Sequence, residues 1–309
     1  MPIPKFYVHI MQLIIILLCV TSSTLYADEQ NKNARIDLGL IEHEEIREAS
    51  GIVASRKNSG VLWTHNDSDN PNCLYALNIK GRHLGVYYIE GIINRDWEDI
   101  AIGPGPTDDQ DYLYLGDIGD NFSQFQLKHI YRFPEPIVDL DQTPLDKGKT
   151  ITNIEKISFQ YPDGRHDAET LLVDPLTKEL YVISKWGNSV NVYLIPYPQS
   201  VTDVMMLECV ATLNIGLVVG GDVSHCGSKI LIKTYSDIYY FARNSDQPLW
   251  EAFDLDHYAT VPYTDENEPQ GEAVCWNTSS TGYYTVSEEP GGMPTRLYFY
   301  PCVVPTIPQ

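Results

Sequence analysis

Carboxylates recur through this 309-residue sequence at one place, just before or at the start of a short apolar run. Glu48 stands two residues before Ser50-Gly51-Ile52-Val53-Ala54. Glu98 precedes Ile100, Glu169 precedes Leu171, Asp222 precedes Val223, and Glu272 precedes Val274. A second polar set closes the next apolar run of each unit: His65-Asn66-Asp67, Asp117, Ser184-Lys185, Lys233-Thr234-Tyr235 and Ser287-Glu288. If these two sets meet on one face, four or five carboxylates converge. Two unit charges about 4 Å apart repel by about 4 kcal/mol at an intermediate dielectric. Such a cluster must hold protons or a cation. Oxygen-only donors suit Ca²⁺, which accepts six to eight oxygens in flexible geometry. No His-Cys grouping argues for zinc. The metal ligands expected on this reading are Glu98, Glu169, Asp222 and Glu272. The competing reading has these acids capping strand ends by accepting backbone N–H bonds, or pairing with Lys185 and Lys233.

Chemistry on such a face has few candidate groups. His65 is the one histidine there, a general base near neutral pH or a structural hydrogen-bonding residue. Asp67 is the alternative proton acceptor. Lys185 and Lys233 either steady developing negative charge or compensate the acids. Gly116-Asp117-Ile118-Gly119-Asp120-Asn121 has the look of a Ca²⁺ loop but lacks the EF-hand spacing and its terminal Glu; an Asx-turn reads it equally well. Ser287 has no Ser-His-Asp context and no G-x-S-x-G is present, which argues against a serine hydrolase.

The elements that position these residues form a repeat. Its clearest mark is an aliphatic-Tyr pair: Leu74-Tyr75, Ile130-Tyr131, Val192-Tyr193, Ile238-Tyr239 and Leu297-Tyr298. Each unit reads as four short strands, and a period of about 50 residues with four strands per unit marks a β-propeller. The expected fold is all-β, with five four-stranded blades. The first strands begin in the fourth unit at Gly221-Asp222-Val223-Ser224, and that unit's fourth strand is expected at Leu249 to Phe253. The fifth unit lacks a fourth strand, while Arg35 to Ile41 alternates as a strand with no unit of its own. Pairing the two closes the ring and removes exposed edges. A sixth blade follows if the 137–160 loop holds further strands. The rival fold, a sandwich of hairpins, does not account for five matched pairs. In a four-stranded blade the inner strand starts at the end where the second strand finishes, so the two polar sets share the axial face.

Bulk properties narrow the partners. Asp and Glu total 42 against 21 Lys and Arg, a net charge of −21, which repels nucleic acid and anionic membrane. It suits cations and small-molecule or glycan ligands on the axial face. Lys5, the apolar run Ile10 to Val20 and Leu25-Tyr26-Ala27 read as a secretory signal, cleaved before Asp28; an uncleaved anchor is the other reading. The expected division is a signal peptide at 1–27, a loose segment at 28–34, one propeller domain at 35–303 and a tail at 304–309, in a secreted or periplasmic protein. Five cysteines follow the signal, which allows one or two disulfides and leaves at least one thiol over. Asn66, Asn121 and Asn277 head glycosylation sequons.

Several stretches also resemble known proteins. EASGIVASRKNSGVLWTHNDS, DWEDIA, YLYLGDIGDN, and PQGEAV followed by SEE resemble a group of secreted bacterial β-propeller proteins of unassigned activity. The SGI…LWTHNDS and EPQGEA…SEE portions are similar to the esterase-like phytase domain family. A ring of axial acids is similar, at the level of architecture, to gluconolactonase/paraoxonase-type propellers and calcium-activated nucleotidases. That resemblance implies an axial Ca²⁺ held by Glu98, Glu169, Asp222 and Glu272, and hydrolysis of lactones, esters or phosphoanhydrides. The paired Asn ligands of the lactonase pattern are absent from the matching first-strand positions. The leading expectation is a calcium-binding propeller performing metal-assisted hydrolysis of small esters or phosphate-containing substrates. The second is a non-catalytic module that binds a glycan or peptide, with structural calcium.

Overall fold

In the computed structural model, residues 35–141, 148–253, 258–266 and 268–301 are described. The signal segment, the loose segment, Cys302 and the C-terminal tail lie outside them. Five sheets radiate from one axis. Blade 1 runs outward through Ala49–Ala54, Val61–Asn66, Cys73–Asn78 and His83–Ile89. Blade 2 is Trp97–Pro104, Asp111–Asp117, Lys128–Pro134 and Glu155–Gln160. Blade 3 is Ala168–Val173, Leu180–Ser184, Val190–Ile195 and Glu208–Leu213. Blade 4 is Val218–Val223, Lys229–Thr234, Ile238–Ala242 and Tyr258–Val261. Blade 5 is Gly271–Trp276, Gly282–Ser287 and Arg296–Pro301, completed by Ile36–Leu40 as its outer strand. Each inner strand packs against the inner strands of both neighbouring blades, so the ring is closed. The fold is the expected five-bladed propeller, closed by the N-terminal strand.

The aliphatic-Tyr pairs hold the blades together. Side chains alternate faces along a strand, so the two members of each pair enter different cores. Leu74 packs with Trp97 and Ile100 of blade 2, while Tyr75 packs with Ala273 and Val286 of blade 5. Ile130 faces blade 3 and Tyr131 faces blade 1. The rule holds through Val192-Tyr193, Ile238-Tyr239 and Leu297-Tyr298: the aliphatic residue joins the core shared with the following blade and the tyrosine joins the core shared with the preceding one. Full burial of such side chains stabilises by about 1.5–3 kcal/mol each.

Among the described residues the loop over 137–160 contributes no sixth blade. Its Lys149–Ile151 strand pairs in parallel with the outer strand of blade 1. Val204–Met206, from the connection within blade 3, pairs in parallel with the outer strand of blade 2. Each covers an edge of the preceding blade. Leu249 to Phe253 is not a strand: after Pro248 the residues Leu249–Ala252 turn as a 3₁₀-helix, and Tyr258–Val261 takes the outer place. The described cysteines, Cys73, Cys209, Cys226 and Cys275, are unpaired.

A carboxylate basin at one end of the axis

Every inner strand carries a bulge at its second residue. The pairing with the second strand shifts between Ala49 and Gly51, Trp97 and Asp99, Ala168 and Thr170, Val218 and Gly220, and Gly271 and Ala273. The residues caught in the bulges are Ser50, Glu98, Glu169, Val219 and Glu272. A bulge re-aims the side chain of its extra residue, and here the same residue is re-aimed five times at one level of the axis. Three of the five are glutamates, all buried.

The second strands supply the layer above. The residues that follow their last paired positions are Asp67, Ile118, Lys185, Tyr235 and Glu288. Lys185 makes an ion pair with Glu169, and the Tyr235 hydroxyl donates to Glu272 Oε1 at 2.9 Å. The Ser50 hydroxyl lies 3.3 Å from Glu272 Oε2. Two further acids complete the basin. Asp67, Asp96 and Glu98 each bring a carboxylate oxygen within 4.8 Å of the others, and so do Glu98, Asp167 and Glu169. Glu98 is common to both groups. Glu169 Oε2 is buried and has no hydrogen-bond partner.

Asp96 and Asp167 were missed by the sequence reading, although a signal was there. Asp96-Trp97-Glu98 and Asp167-Ala168-Glu169 share a D-x-E pattern ending on the bulged residue. The turn at Gly116 to Asn121 is tied by bonds longer in range than an Asx-turn's, which reaches two residues on. Asp120 accepts from the Gln124 and Phe125 amides at 2.6 and 2.9 Å and pairs with Lys128 at 3.1 Å. Its Gly119 lies so close to the basin that a Cβ there would collide with the Glu98 and Asp96 carboxylates.

The electrostatics follow from crowding like charges away from water. Burial, then Glu169, Asp67, Glu272 and Asp96, hold Glu98 well above the usual carboxylate range. Burial and Glu272 raise Glu169, with Lys185 opposing. Burial also raises Glu272, against the pull of Lys185 and Tyr235. Asp67 is pushed up to about 6 chiefly by burial. Asp96 is raised to about 7 by burial and by Asp67 and Asp167, and Glu288 to about 8 by burial and by Glu272 and Asp67.

Not every expected residue arrives here. Asp222 is three residues past the bulge of blade 4, whose bulged residue is Val219. It points to the other end of the axis, where Oδ1 accepts the Val223 amide and Oδ2 the Trp276 amide, both at 2.8 Å. Glu48 is exposed at the entrance, bonded to Asn70. His65 is wholly buried between blades 1 and 2. Its Nδ1 lies 3.0 Å from the Asn66 carbonyl, its Nε2 has no partner, and burial lowers its pKa to about 4. Lys233 is also buried. Its ammonium donates to the carbonyls of Thr234 and Gly271 and lies 4.1 Å from the centre of the Tyr263 ring. Burial lowers it to about 8 against the pull of Glu268 and Glu272.

Fold and site together define a five-bladed β-propeller with a carboxylate basin that could hold a metal ion. No family model matches the chain, and no curated protein does. Among solved structures it is similar to the PQQ-bound form of aldose sugar dehydrogenase from Streptomyces coelicolor, at 11% identity and a TM-score of 0.45 over 86% of this chain and 97% of that one. At that level of likeness the PQQ of that enzyme is no guide to what this chain binds.

Proposed function

We propose that the basin binds a divalent cation of the calcium class and that the protein is a metal-assisted hydrolase of small esters or phosphate-containing molecules, acting outside the cytoplasm. One observation carries the reading. Glu98 is shared by two carboxylate triads, and among the described residues the acids that surround it have one directly paired ammonium, Lys185. The donor set is all oxygen, as Ca²⁺ prefers, and the unpartnered Glu169 Oε2 is a ligand atom without a present role. A buried carboxylate with neither donor nor cation is costly.

A bound divalent cation would polarise a scissile oxygen and acidify a coordinated water. The chain's own groups then divide the remaining work. Glu98, Glu169 and Asp96 would be ligands. Asp67, raised to about 6 at the basin's edge, is the proton acceptor; its Oδ1 is engaged by the Ser68 amide, which leaves Oδ2 for the proton. Lys185 holds Glu169 in place. His65 and Lys233 fall outside this scheme, because one is sealed between blades and the other donates to two backbone carbonyls.

The test is metal analysis of the purified protein, followed by calorimetric titration of chelated protein with CaCl₂. A panel of model esters, lactones, phosphomonoesters and nucleotides is then assayed with and without chelator. Cation uptake with chelator-sensitive turnover is the expected result. Chelated protein that takes up no divalent cation rules the reading out. Uptake without turnover of any substrate leaves the cation structural and ends the hydrolase assignment.

A further inference from the structure

At the opposite end of the axis the inner strands form the floor of a half-open pocket of about 170 Å³, with His225, Asn277 and Thr278 on its rim. Its wall is a repeat in its own right. Ala54, Ile102, Val223 and Trp276 each stand four residues beyond the bulged residue of blades 1, 2, 4 and 5. These apolar side chains frame two opposite charges. Asp222 presents a carboxylate whose oxygens each accept one backbone amide, and a carboxylate oxygen can accept more than one bond. Arg56 uses Nη1 on Asp111 at 3.0 Å, and no other hydrogen bond to its guanidinium is seen among the described residues. Burial raises Asp222 to about 7, and the Trp276 amide, Arg56 and the Val223 amide pull it back toward the ionised form that a ligand's ammonium would complete.

We propose that this cavity binds an α-amino acid with an apolar side chain. The ammonium group sits at Asp222, the carboxylate takes the free N–H groups of Arg56, and the side chain lies against Ile102 and Trp276. The choice of a zwitterion follows from the pair of charges. A simple carboxylic acid would satisfy Arg56 but would bring its charge up to Asp222. A simple amine would satisfy Asp222 but would face the guanidinium. An amino acid meets both, and an Arg–carboxylate contact is among the stronger charge-assisted bonds. It is also neutral overall, so a protein charge of −21 does not drive it away. The volume is roughly that of six waters, which suits one amino acid. The site does not depend on the carboxylate basin, about 13 Å away at about 3.3 Å per strand residue.

The experiment compares L-leucine, N-acetyl-L-leucine and L-leucinamide on the full chain by thermal shift and calorimetry. Leucine should bind, and each blocked analogue should bind about 100-fold more weakly or worse, because each loses one charge-assisted contact and sets a neutral group against a charged one. Equal binding of N-acetyl-leucine makes this a carboxylate site, and equal binding of leucinamide makes it an amine site; either overturns the proposal. So does the absence of binding by leucine, valine and phenylalanine at about 10 mM, a limit below any useful affinity. Ala54→Leu fills the cavity from an apolar wall without touching either charge. It should abolish leucine binding while calcium uptake at the basin is unchanged, and retained leucine binding in that variant would place the ligand elsewhere.

Discussion

The two ends of the axis are made from the same five strands, and four residues separate them. At one end the bulged residue of each strand is turned to the axis, and three of the five are glutamates with two aspartates beside them. Burial there sets like against like, so every acid of the basin whose pKa is shifted is pushed upward. At the other end one carboxylate lies among apolar side chains, has two amides bonded to it and faces a guanidinium. Burial raises the carboxyl at both ends, Asp222 to about 7, but in the basin neighbouring acids add to it whereas at Asp222 two amides and Arg56 oppose it. The difference is the arrangement of donors and of like charges around the carboxylates.

The largest effect should come from the crowded end. A carboxyl whose folded pKa lies above its unfolded value binds protons on folding. Its contribution to stability is complete below the unfolded pKa and is lost as pH rises through the folded one. For Asp67, Asp96 and Glu288 that window runs from about 4 to about 8. Cation-free protein should therefore lose stability from pH 5 to pH 8. Saturating Ca²⁺ should restore about 4 kcal/mol at pH 8, as expected at about a thousand times Kd, and almost nothing at pH 5. Urea denaturation at the two pH values, with and without chelator, checks this. A calcium effect as large at pH 5 as at pH 8 would contradict the charge-crowding account.

A smaller effect is expected at the Asp222 end. Asp222→Ala strands the Val223 and Trp276 amides, each at a cost of about 1–3 kcal/mol, partly offset by relief of a buried acid. The expected net loss is about 2–3 kcal/mol, equal with and without Ca²⁺. A loss that depends on calcium would return Asp222 to the cation site. The smallest effect, and the most diagnostic, is that of Glu98→Gln. Removing one site of crowded ionisation should stabilise the cation-free protein, most at high pH where Glu98 is driven to ionise, by about 1 kcal/mol, a modest share of the repulsion between close like charges, and weaken Ca²⁺ binding at least tenfold. A change of the same sign in both states would mean that Glu98 is structural only.

Much of this was legible in the sequence, for a definite reason. The aliphatic-Tyr pairs are dictated by strand alternation between two blade interfaces, so the repeat reported the fold directly. Glu98, Glu169 and Glu272 sit at equivalent positions and could be aligned by eye. Asp222 could not, because the strand that carries it opens with Val218-Val219-Gly220-Gly221, and paired glycines read as a turn. They are there because the backbones approach closely: a Cβ on Gly220 would stand 2.7 Å from the Glu272 carbonyl oxygen, and one on Gly221 2.7 Å from that of Leu231. Asp96 and Asp167 escaped because a one-residue bulge changes which side chains reach the axis, and a bulge leaves no mark in hydrophobic periodicity. His65 and Lys233 are of the right type at the right strand ends, but their side chains turn back between blades.

The two short parallel strands give the ring an uneven resistance to opening. Lys149–Ile151 belongs to blade 2 in sequence and to blade 1 in pairing, and Val204–Met206 joins blade 3 to blade 2 in the same way. Blades 1, 2 and 3 are thereby stitched together, while blades 4 and 5 carry no such added strand among the described residues and end on the edge strands Tyr258–Val261 and Ile36–Leu40. Amide exchange should start at those two edge strands, spread through the fourth and fifth sheets and reach the stitched three blades last. The two ends of the axis would then come apart from the side on which Asp222 holds blade 4 to blade 5.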